Sequence, residues 1–191
     1  MHHRLYILIM CTLLLTAMSL ASCSVDDSPD KQFNMSYNSQ SGTPYSGKWD
    51  VSGKSIDKIL MNQLGPTFMF GAIPTMQIVQ AIFAGHAIEG VSTGAQSIAY
   101  ESAQQSDGTI VYAIKPSVWQ IEVQTDGKRH NVQLMLGPTD ASTDQQSWGK
   151  YTPKTRVLTV FLHITAYAID NGDTQPLQLK LTYTGTPITD C

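Results

Sequence analysis

Cysteine is scarce in this 191-residue chain, and none of its three thiols has an obvious partner. Cys11 lies in an N-terminal apolar run, Cys23 directly follows that run, and Cys191 is the last residue. No internal disulfide framework is available, so a folded domain must be held by its core. Charge is scarce as well. Asp, Glu, Lys and Arg make up 14% of the residues, with a formal net charge of −3, so no basic face is on offer to nucleic acid. The chain has no Gly-x-Ser-x-Gly elbow, no His-Glu-x-x-His, no phosphate-binding glycine loop and no cysteine pair at zinc spacing. These absences argue against an enzyme and against a bound metal or cofactor. The apolar run from Leu5 to Leu20 is too short to span a bilayer. A second apolar stretch, 68–88, is broken by Gly71, Pro74, Gln77, Gln80 and Gly85 and reads as a helix lying on a sheet.

What is present begins with an address. His2, His3 and Arg4 lead into the apolar run, which closes on Leu20-Ala21-Ser22-Cys23, the order of a secretory signal. The tetrapeptide resembles the bacterial lipobox, in which a cysteine receives a diacylglycerol and becomes the first residue after cleavage. That resemblance implies a signal peptide over 1–22, lipidation at Cys23 and a stable membrane anchor, since more than one acyl chain is attached. Asp26, Asp27 and Asp30 follow directly. They look like the acidic export signal of Bacteroidetes-type lipoproteins, which implies a lipid-anchored, surface-exposed position in the outer membrane. The stretch 23–45 is polar and reads as a flexible tether, leaving 46–191 as a single domain.

Within the domain, turn chemistry and alternation predict antiparallel β-structure. Asp107-Gly108, Asp126-Gly127 and Asn171-Gly172 each separate segments rich in β-branched and aromatic residues, and such dipeptides supply the positive φ of tight hairpins. The expected arms are 98–103 with 109–115, 118–125 with 130–136, and 156–170 with 175–184. Leu177, Leu179, Leu181 and Tyr183 alternate with polar residues, so one face of that arm is buried. The arm 156–170 is apolar on both faces and reads as central, under some covering layer. Ser55 to Leu64 stays open between helix and strand, because Ile56, Ile59, Leu60 and Leu64 fit one helical face in a short segment. A helix is predicted over Met76 to Ala84, with Thr75 as N-cap and Gly85 ending it. The fold class expected is mainly β (α+β), an antiparallel meander forming a sandwich or barrel with one short helix packed on it.

Candidate site residues are few. His163 lies mid-strand beside Phe161, as a core histidine or a buried base. Asp140 and Asp144 sit in a long polar loop that ends in Trp148; a carboxylate pair beside an exposed indole suits a sugar, and a solvated loop with Trp148 folded onto the core explains the same letters. His86 and Glu89 share a spacing but lack a third ligand. Asp170-Asn171-Gly172-Asp173 has the oxygen donors of a calcium loop without its spacing, and a tight turn accounts for it. No metal is expected.

The lipobox, the acidic tether, Tyr45-Ser46-Gly47-Lys48-Trp49-Asp50-Val51, the Ile73-Pro74 entry to a short helix and the hairpin-rich second half together resemble Bacteroidetes-type surface lipoproteins with a lipocalin-like or calycin-like domain. The resemblance implies a β-rich, membrane-tethered monomer that binds a glycan, a lipid or another envelope protein without catalysis. Two alternatives stand beside it. One is an envelope hydrolase acting on glycans through Asp140, Asp144 or His163. The other is a subunit of a surface fibre, for which Leu177 to Thr184 is the strand to inspect.

Overall fold

The computed structural model describes residues 42–137 and 146–188. Cys23 and the rest of 1–41, together with Asp140 and Asp144, lie outside the described residues. The described elements, in chain order, are β1 (Gly42–Val51), β2 (Lys54–Leu64), β3 (Thr67–Phe70), α1 (Thr75–Ile82), β4 (Ile88–Ser92), β5 (Gln96–Gln104), β6 (Ile110–Ile114), β7 (Ser117–Thr125), β8 (Lys128–Leu136), β9 (Trp148–Thr152), β10 (Val157–Ile169) and β11 (Gln175–Pro187).

Eight of these strands close into an antiparallel barrel in the order β1, β2, β3, β5, β6, β9, β10, β11, with β11 pairing back onto β1. Of the two architectures open to the sequence, the barrel is the one formed. Strands β8, β7 and β4 extend it as a three-stranded wing. The wing starts on β10, whose first half pairs with β9 (Phe161 opposite Trp148) and whose second half pairs with β8 (Ile164 opposite Leu136). A register shift between Ile164 and Ala166 marks the point where the partner changes. The segment 177–184 lies inside β11, which pairs with β10 over 175–185 and with β1 over 181–187.

The barrel is filled rather than hollow. Trp49, Phe68, Phe70, Tyr112 and Tyr183 are each buried to 2% exposure or less, with Met61 and Ile98 between them. Their rings touch in series: Trp49 to Phe70 at 4.8 Å, Phe70 to Tyr183 at 5.4 Å, and Phe68 to Tyr112 at 5.0 Å. Trp49 donates its indole N–H to Ala72 O at 3.0 Å and Trp119 donates to Ser97 O at 3.0 Å, so both bury their apolar bulk without orphaning the polar edge. Gly47 and Gly185 face one another across β1 and β11. A Cβ on Gly47 would fall 2.3 Å from Thr184 O, and one on Gly185 would fall 2.6 Å from the Tyr183 hydroxyl, so this seam admits no side chain.

All three expected hairpins form, with turns that differ in detail. Asp126 and Gly127 have φ of 50° and 71° between the paired Thr125 and Lys128, a two-residue turn with both central φ positive. At the first hairpin only Gly108 takes positive φ, while Asp107 accepts the Thr109 N–H at 2.9 Å. At the third, positive φ falls on Asp170 and Asn171, one residue earlier than the Asn171-Gly172 pair expected, and Gly172 N bonds Ile169 O at 2.8 Å.

Residues 55–64, open between helix and strand in the sequence, are strand, and three further details depart from expectation. Here β2 spends three residues (Ile56 to Ile59) where β1 spends two (Trp49 to Gly47), and the extra one, Lys58, has φ 61°. This bulge turns Ile56 and Ile59 to one side three residues apart and so imitates a helical period. The helix spans Thr75–Ile82, not Met76 to Ala84. Its N-cap position is Pro74, because Thr75 turns its hydroxyl back to Ile73 O at 3.1 Å instead of capping. Finally, β1 begins at Gly42, inside the expected tether, since Tyr45 pairs with Met61 and Pro187 and buries its ring at 3% exposure.

Candidate functional site

The outer wall over β9 and β10 carries two of the sequence-derived candidates, Trp148 and His163. Leu158, Val160, Leu162 and Ile164 point into the barrel at 1% exposure or less, so Thr159, Phe161 and His163 point the other way. Phe161 is the cross-strand partner of Trp148, and the two rings stack at 4.4 Å between centroids with planes 27° apart. Both are half-buried. Trp148 is therefore neither folded into the core nor free-standing: Phe161 covers one ring face.

His163, two residues beyond Phe161, is 2% exposed. Its backbone N–H donates to the Ser147 hydroxyl at 3.0 Å, and its carbonyl accepts from Gly137 N at 2.8 Å. The two ends of the 137–147 connection are thus hung on one residue of β10. Trp148 and His163 share a wall, as candidate residues of one site would. Phe161 was named only as a neighbour in sequence; its role as the indole's stacking partner follows from strand register.

A second polar cluster closes one end of the barrel. Gln63 donates to the Tyr100 hydroxyl at 2.6 Å and accepts from Tyr45 at 3.3 Å, and Tyr100 donates to Gly65 O at 2.6 Å. Burial pushes the Tyr45, Tyr100, Tyr112 and Tyr183 hydroxyls above their ordinary range; at Tyr100 the hydrogen bond from Gln63 works against that rise. A shallow cleft of about 470 Å³ is bounded by Gly42, Thr43, Gln63 and Gly65, and its Gln63 amide is already bonded to Tyr45 and Tyr100.

Ionisable groups elsewhere pair off at turns. His86 Nδ1 lies 2.6 Å from Asp126 and His130 Nδ1 lies 2.7 Å from Asp170. Glu89 accepts the Gly127 N–H at 2.9 Å, so His86 and Glu89 both reach the β7–β8 turn but engage different groups. The Asn131 backbone N–H, and after it the His130 ring, hold the Asp170 carboxyl below the usual range. Among the described residues, no group of three or more His, Cys, Asp or Glu side chains is placed to hold a metal ion, and no helix is long and apolar enough to cross a membrane.

Comparison with known proteins adds no assignment: the chain matches no protein-family model, no curated protein and no solved structure.

Proposed function

We propose that this protein is a lipid-anchored envelope lipoprotein, exposed at the outer membrane through Cys23, whose barrel is a non-catalytic binding module recognising a glycan on its outer wall. The observation that carries the binding part is the contrast between a filled interior and an unfilled exterior. Trp49, Phe68, Phe70 and Tyr183 occupy the barrel at 0% exposure, which leaves a ligand no volume inside, whereas the Trp148–Phe161 stack presents aromatic surface on the wall. Aromatic faces cover the apolar faces of sugars.

Two measurements test this. Calorimetric titration with a panel of purified polysaccharides should give a binder whose affinity falls about tenfold or more in Trp148→Ala, a loss of roughly 1.4 kcal/mol or more. Loss in Gln63→Ala with Trp148→Ala unaffected would move the site to the barrel mouth and contradict the reading. For the anchor, Cys23→Ser should abolish incorporation of radiolabelled fatty acid; continued labelling would refute lipidation there.

A further inference from the structure

Strand register places two side-chain rows next to one another on the outer wall, and their chemistry narrows the ligand. The first runs Ala113, Trp148, Phe161, Thr182, Asp50 across β6, β9, β10, β11 and β1. The second, two residues along each strand, runs Val111, Lys150, Thr159, Thr184, Lys48. On the far side of the aromatic row, Lys180 pairs with His163. The stack is therefore bracketed by lysines, and Lys48, Lys150 and Lys180 are all exposed. Lys150 and Lys48 close the two ends of a threonine row, three strand spacings or about 14 Å apart.

Among the described residues, most carboxylates near the two rows make other contacts first; Asp57, with Lys58, lies opposite Lys48 across the β2 bulge. Asp50 accepts from Gly53 N at 3.3 Å and from the Ser55 hydroxyl at 3.4 Å. Glu101, opposite Ala113 on β5, pairs with Lys115 at 3.0 Å. Asp107, near enough to Lys150 to be stabilised by it, is held first by the Thr109 N–H.

We infer that this face binds an acidic polysaccharide laid across the strands, its sugar rings against Trp148 and Phe161, its hydroxyls on Thr159, Thr182 and Thr184, and its anionic groups on Lys48, Lys150 and Lys180. The inference rests on the binding reading above and adds the charge of the ligand. A neutral glycan would use the rings and the threonines and leave Lys48, Lys150 and Lys180 idle, whereas an anionic one engages the three lysines as well.

The test uses the purified full chain with polygalacturonate as probe, dextran as the neutral comparison and phosphatidylglycerol vesicles as a lipid one. Binding to polygalacturonate is expected, weakening about tenfold or more when salt rises from about 0.05 to 0.5 M, because exposed charges are screened. The variant Lys48→Gln/Lys150→Gln/Lys180→Gln should lose about tenfold or more, while Lys128→Gln/Arg129→Gln/Lys154→Gln, at the β7–β8 hairpin and in the β9–β10 turn outside the two rows, loses less than about twofold. Urea unfolding checks that both triple variants keep their fold. Equal losses in the two variants, equal binding to dextran, or binding to the vesicles alone would each overturn the inference. If dextran binds and Trp148→Ala abolishes it, the binding reading survives and the acidic preference falls; if Trp148→Ala changes binding to none of the three probes, both fall.

Discussion

The two faces of β10 carry different work. On its inner face Leu158, Val160 and Ile164 are at 0% exposure against a continuous aromatic core, while on its outer face Phe161 is only half-buried beneath Trp148. Both faces read as apolar in sequence. Packing separates them: the inner side chains are enclosed on all sides and contribute the stability of a core, whereas the outer rings keep one another half-covered and retain surface to offer. An apolar two-faced strand in this fold is thus one enclosed face and one face on the outer wall, where Phe161 is only partly covered.

The sharpest way to break that contrast is to empty the interior. Phe70→Ala removes a ring at 0% exposure that touches Trp49, Tyr183 and Trp119, and should cost about 3–5 kcal/mol in urea unfolding. A loss below about 1 kcal/mol would mean the core closes over the gap and is not the rigid side of the comparison. Alkali attacks the same region. The buried tyrosines resist ionisation, so their folded values lie above their unfolded value of about 10. The stability they contribute is fully present below that pH and is lost as pH rises through the folded values. The unfolding midpoint should be flat between about pH 7 and 9 and fall above about 10; a flat response to about pH 12 would contradict the burial of these hydroxyls.

On the outer face the effects shrink. Phe161→Ala should cost only about 1–2 kcal/mol, since the ring is only partly buried and the stacked pair adds about 0.5–1.5 kcal/mol. A double-mutant cycle with Trp148→Ala would isolate that stacking share, and a cost equal to that of Phe70→Ala would erase the distinction between the faces. Smallest of all is the turn pair of His130 and Asp170. The Asp170 carboxyl is held low, so its contribution is present above the ordinary carboxylate range near 3.9 and disappears as pH falls below it. Asp170→Asn should slightly flatten the acid limb of a stability profile; an unchanged limb would show that the exposed pair does nothing measurable.

What the sequence disclosed follows the same division between local and tertiary causes. The three hairpins were legible because Asp107-Gly108, Asp126-Gly127 and the Asp170 to Gly172 stretch punctuate alternating arms, and turn chemistry is local. The opening strand around Trp49 was legible for a similar reason. Strand β2 was hidden by its own bulge at Lys58, which shifts the alternation toward a helical period. Strand β9 was hidden too: Trp148-Gly149-Lys150 shows no alternation of its own, because its inward position is Gly149, where a Cβ would stand only 3.2 Å from the Tyr112 ring. Barrel closure, the change of partner along β10, and the lysine rows depend on register between distant strands and cannot be read from any one segment. Of the candidate site, Trp148 and His163 were visible as residue types, and their placement on a common wall was not.

The account's central claim is that recognition occurs on the outer wall at Trp148 and not inside the barrel. Iodide quenching tests it most directly, comparing the natural chain with Trp148→Phe, each with and without polygalacturonate. Trp49 and Trp119 are 0% and 1% exposed, so the quenchable part of the emission should belong to Trp148, should be shielded by the polysaccharide, and should be missing from Trp148→Phe. A quenchable component that persists in Trp148→Phe, or one in the natural chain that the polysaccharide leaves fully open to iodide, would contradict the claim.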